Sequence, residues 1–134
     1  MPNPSDQLMD FALFALDHAA ESVLAGGGPL IPFCIVEVDG NRELNRFVGD
    51  LEEGQKAARS HVATTPGVSK GAVAWDGYLT VEGQRTDAVF VEASAADEES
   101  SVVLAQRYVT VGRIRKRVER TGNAGIVGDG EPLF

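Results

Sequence analysis

Residues 72–111 hold three runs rich in apolar side chains, the first with Val73, Trp75, Leu79 and Val81 at alternating positions, and turn chemistry interrupts the runs twice. A period of two sends successive side chains to opposite faces of a strand. Three strands are therefore expected, over 72–81, 85–93 and 101–111. Glu82-Gly83 joins the first pair at hairpin length, with Gly suited to the positive φ such a turn needs. The acidic run Asp97-Glu98-Glu99 joins the second pair and is too charged to bury. Short connections make these strands an antiparallel meander. Its apolar face must be covered by the rest of the chain.

Two helices are available for that cover. Over residues 5–25, Leu8, Ala12, Ala15, Leu16, Ala19 and Val23 recur at helical spacing, Ser5 serves as N-cap, and Gly26-Gly27-Gly28-Pro29 ends the run. Phe11, Leu13 and Phe14 widen the apolar face beyond one stripe, which suggests contact with a second copy as well as with the sheet. The second helix starts at Asp50, with Glu53 at capping-box spacing, and is closed by Pro66-Gly67. Between the helices, residues 30–38 form an almost wholly apolar strand. Asp39-Gly40-Asn41 is a turn, and residues 42–48 return as a more polar edge strand.

The expected fold is α+β: a five-stranded, mostly antiparallel sheet with two helices on one face, in the order α-β-β-α-β-β-β. Residues 1–134 make one domain, with 112–134 a basic segment and a docked C-terminal tail. In the tail, 121–125 reads as loop and Ile126-Val127 as a short added strand. Leu133 and Phe134 are too apolar to be left in water. The order of elements resembles that of the roadblock and profilin-like architectures, a likeness of order that no residue motif carries. It implies nothing about function.

Charge bounds the partners. The net charge is −8 and the pI about 4.7, so the surface repels nucleic acid and anionic lipid. Against that background Arg113, Arg115, Lys116, Arg117 and Arg120 cluster with only Glu119 to oppose them. A basic segment on an acidic chain suits the body of the protein, or a second copy of it, better than DNA. No apolar run reaches the ~18 residues of a membrane span. The start Met1-Pro2-Asn3-Pro4-Ser5-Asp6 lacks the basic flank of a secretory signal. With Cys34 the one cysteine, a reducing compartment is expected, and the cytoplasm is the default.

Residues able to carry chemistry are few. Cys34 sits mid-strand among apolar neighbours and reads as a small buried hydrophobe. His18 and His61 lie on different helices without metal-ligand spacing, so no metal is expected. The glycines at 26–28 follow a helix and lack the Lys of a phosphate loop, and no cofactor is implied. Trp75 alternates with Val73, Leu79 and Val81 and is expected in the core. Asp76, Tyr78, Arg107 and His61 are the candidate binding residues, and no catalytic set emerges. Two functions fit: a non-enzymatic, self-associating binding or assembly module with a possible protein partner, or a small enzyme or ligand-binding protein with a site between sheet and helices. A concave pocket gathering the meander's polar residues favours the second reading.

Overall fold

A computed structural model describes residues 4–134. Met1, Pro2 and Asn3, part of the segment considered above for a leader, lie outside the described residues. The chain folds as α1 (Asp6–Gly26), β1 (Phe33–Val38), β2 (Asn41–Arg46), α2 (Leu51–Thr64), β3 (Val68–Val81), β4 (Gln84–Ala95), β5 (Ser101–Val111) and β6 (Arg117–Gly130). The strands form one antiparallel sheet in the order β2-β1-β3-β4-β5-β6. This is the expected α+β class with two helices, but among the described residues the sheet has six strands, not five. No helix among the described residues is long and apolar enough to cross a membrane.

The local signals act as their chemistry requires. Ser5 Oγ accepts from Leu8 N at the start of α1, and Asp50 Oδ1 accepts from Glu53 N at the start of α2. Asp39-Gly40 and Glu82-Gly83 both adopt positive φ at each residue, the conformation of tight hairpins whose twist matches the strands. Gly54 is needed for packing: a Cβ there would meet the Phe47 carbonyl oxygen at 2.8 Å.

The helices do not share a face of the sheet. On β1, Phe33 and Ile35 pack with α1, whereas Cys34 and Val36 pack with α2. On β3, Ala72 and Ala74 join the α1 cluster, and Val73 and Trp75 join the α2 cluster. Strict alternation means that the two clusters occupy opposite faces, correcting the one-face expectation. The α1 cluster is the larger and holds Leu8, Phe11, Leu16 and Val23 against Val89, Val91 and Leu104. The smaller cluster places Ala58 and Val62 of α2 over β1 and β3, with Phe47 and Leu133 at its margin.

Trp75 is half-buried rather than fully enclosed. Its ring stacks on Phe90 at 5.6 Å between centroids, and the Arg59 guanidinium lies 5.3 Å from the ring centre. The C-terminal region also differs from the expected loop. Residues 117–130 pair with β5 along most of their length, with register shifts at Val103/Leu104 and Ala105/Arg107. At the second shift Gln106 Nε2 donates to the carbonyls of Thr121 and Gly122 and holds the irregular segment in place. Beyond β6, the Leu133 amide donates to Ser94 Oγ at 3.0 Å.

Candidate functional site

The four candidate residues divide between the two faces. Asp76 and Tyr78 lie on the α1 side of β3, following Ala72 and Ala74. Arg107 is paired with Ala88, beside Gly77, in register with the α2 side of the sheet. His61, on α2, meets Asn45 of β2 at 3.3 Å and tilts toward the Phe47 ring. No cavity lined by all four is formed among the described residues.

Asp76 is the most constrained of them. Its Oδ2 accepts from the Leu30 amide and from the Tyr108 hydroxyl, each at 2.7 Å. Burial raises its pKa above the usual carboxylate value, while the two donors pull the other way. The Tyr108 phenol is likewise driven up by burial and by the adjoining carboxylate, so it stays protonated well into alkali. This arrangement ties the segment after α1 to the middle of the sheet. Tyr78 is exposed at 59%, and the Arg85 guanidinium lies 3.8 Å from its ring centre.

A second polar cluster, not anticipated from sequence, lies on the α2 face. Glu92 of β4 is buried and bonds to Arg59 of α2 at 2.8 Å and to the Ser101 hydroxyl of β5. Arg59 is thus held between the Glu92 carboxylate and the Trp75 ring. The available signal was one carboxylate inside the apolar run Val89-Phe90-Val91-Glu92-Ala93. Cys34 is fully buried, and burial pushes its thiol up to about 11, the opposite of what a nucleophile needs. Among the described residues, no group of His, Cys, Asp and Glu has the proximity to hold a metal.

Several surface features surround β6. This strand forms one margin of the sheet, 14 residues long and mostly exposed. The opposite margin, β2, is only six residues and carries Arg42, Glu43 and Arg46. In β6 the portion from Thr121 to Gly130 has no Lys, Arg or Pro, while Ile126 and Val127 are 57% and 44% exposed. The β5–β6 loop, residues 112–116, presents Arg113, Arg115 and Lys116 around Ile114, which is 97% exposed. At the other end of the same hairpin lies a cavity of about 680 Å³. Asp97, Glu98, Glu99 and Asp129 rim it, and Val102 and Ile126 form part of its wall. Arg120 is already engaged, bonding Asp17 and Glu21 of α1 at 2.6 and 3.0 Å. Leu13 and Phe14 of α1 adjoin Ala124 of β6 around a shallow depression.

No family model, no curated protein and no solved structure matches the chain.

Proposed function

We propose that the protein is a non-enzymatic assembly module whose β6 margin pairs with the same strand of a second copy. The observation that carries this reading is the long, exposed and mostly uncharged margin of β6. An unpaired margin presents a row of amides and carbonyls that another strand can satisfy, and proteins that remain monomeric blunt such rows with charge, Pro or short length. The β2 margin is short and charged, whereas residues 121–130 of β6 lack a basic side chain or Pro.

Charge selects the direction of pairing. Antiparallel pairing centred on Asn123 sets Arg117 of each copy opposite Asp129 of the other and Arg115 opposite Glu131. Parallel pairing in register would stack like charges. The half-exposed Leu13 and Phe14 flank the midpoint of β6 and supply apolar surface beside the joined strands. The resulting assembly is a continuous twelve-stranded sheet (two copies of the six-stranded one) with α1 of both copies on one face.

Amide hydrogen exchange tests the reading. Exchange over residues 125–130 should slow as protein concentration rises, while exchange over β2 stays constant. Equal, concentration-independent exchange at both margins contradicts it.

A further inference from the structure

We infer that the cavity at the β4–β5 turn receives the basic β5–β6 loop of a second copy, with Ile114 as the inserted side chain. This rests on the antiparallel pairing proposed above and names what each end of the paired strands contacts.

The inference begins with the placement of two features along one hairpin. The loop at 112–116 lies where β5 ends and β6 begins, and the cavity lies where β5 begins and β6 ends. Within one molecule they are separated by the length of β5, 11 residues or about 37 Å at ~3.4 Å per residue. The loop therefore cannot reach its own cavity. Antiparallel pairing of two β6 strands reverses the ends. Arg115 of one copy then lies beside Glu131 of the other, two residues past the Asp129 that lines the other copy's cavity, and the two-fold relation creates both contacts at once.

The chemistry of the two surfaces is complementary. The loop offers three cations around an isoleucine that is almost wholly in water. The cavity offers carboxylates at its rim and apolar wall from Val102 and Ile126. Glu98 is already used, accepting from the Ser5 amide and hydroxyl at the start of α1. Asp97, Glu99 and Asp129 pair with no cation among the described residues. An exposed isoleucine among cations gains by entering an apolar recess, and the rim charges orient it on approach.

The second copy is the occupant best matched to the cavity, since the same chain carries the complementary loop. The test combines charge reversal with cross-linking. Arg113→Glu/Arg115→Glu/Lys116→Glu should weaken the dimer roughly tenfold or more, as should Asp97→Lys/Glu99→Lys, and mixing the two variants should restore both contacts, one with the charges exchanged and one as in the wild type. Glu98 is left intact because it holds the α1 cap. Independently, Ile114→Cys/Ser100→Cys should oxidise to a covalent dimer, because the intrachain separation forbids an internal disulfide. Neither single cysteine variant should do so efficiently. A wild-type dimer that keeps its affinity in both reversed variants and yields no 114–100 disulfide overturns the loop-in-cavity contact and leaves strand pairing standing. A wild-type chain that remains monomeric overturns both.

Discussion

Tyr108 reaches from β5 past β4 to donate its hydroxyl proton to Asp76 of β3 at 2.7 Å. Both groups have raised pKa values, chiefly through burial, and this sets the sign of their contribution to stability. For each, the unfolded chain releases its proton at a lower pH than the folded one. Stability should therefore fall as pH rises above the unfolded values, 3.8 for the carboxyl and 10.0 for the phenol. Unfolding midpoints in urea across acid and alkaline pH measure both effects. Asp76→Asn should flatten the acid slope and Tyr108→Phe the alkaline one. Tyr108→Phe should also cost about 1–2 kcal/mol at neutral pH, since it removes a hydrogen bond and leaves the part-buried Asp76 oxygen one donor short.

The Arg59–Glu92 pair clamps α2 to the sheet. Glu92 is nearly enclosed, while Arg59 remains partly in water, so solvent screens only one partner. Replacing Arg59 by Met keeps much of the stem over Trp75 but leaves the carboxylate short of a cation. A loss of about 1–3 kcal/mol is expected in urea unfolding. Removing the Trp75 ring as well should show coupling, because Arg59 touches both groups.

The buried thiol of Cys34 should resist reagents. Labelling with a thiol-reactive disulfide is expected to be slow in buffer and immediate in denaturant, with one equivalent taken up. Rapid labelling in buffer would show that the α2 face opens easily.

Deleting Leu133 and Phe134 should lower the melting temperature. Leu133 packs at the margin of the smaller core cluster and its amide bonds Ser94, whereas Phe134 is only partly covered. About 1–3 kcal/mol is expected from the lost apolar burial, measured by calorimetry on the 134-residue chain and the shortened one.

The sequence carried its local instructions clearly and its pairings less so. Ser5, Asp50 and the two hairpin turns act within a few residues, so their roles follow from side-chain chemistry alone. The placement of the helices depends on which face each strand residue presents. Phe33-Cys34-Ile35-Val36 is apolar at every position, which is how a strand covered on both sides reads, and that signal favours helices on opposite faces. The strand β6 is different. Its run Thr121-Gly122-Asn123-Ala124-Gly125 has no alternation and low strand propensity, and it becomes a strand through pairing with β5. Asp76 was legible as an unusual residue within a strand, but its partners Leu30 and Tyr108 are remote in sequence. Glu92 was concealed because its cation comes from a helix on the other side of β3 in the chain order.

The central claim is self-association through β6, and the mass of the protein in solution tests it most directly. Light scattering coupled to gel filtration, at concentrations into the tens of micromolar, should give twice the chain mass of 14.2 kDa. Ile126→Lys, which places a charge on the exposed margin without touching the core clusters, should return the mass to 14.2 kDa. A wild-type mass of 14.2 kDa throughout that range, or a dimer that Ile126→Lys leaves intact, would contradict the account.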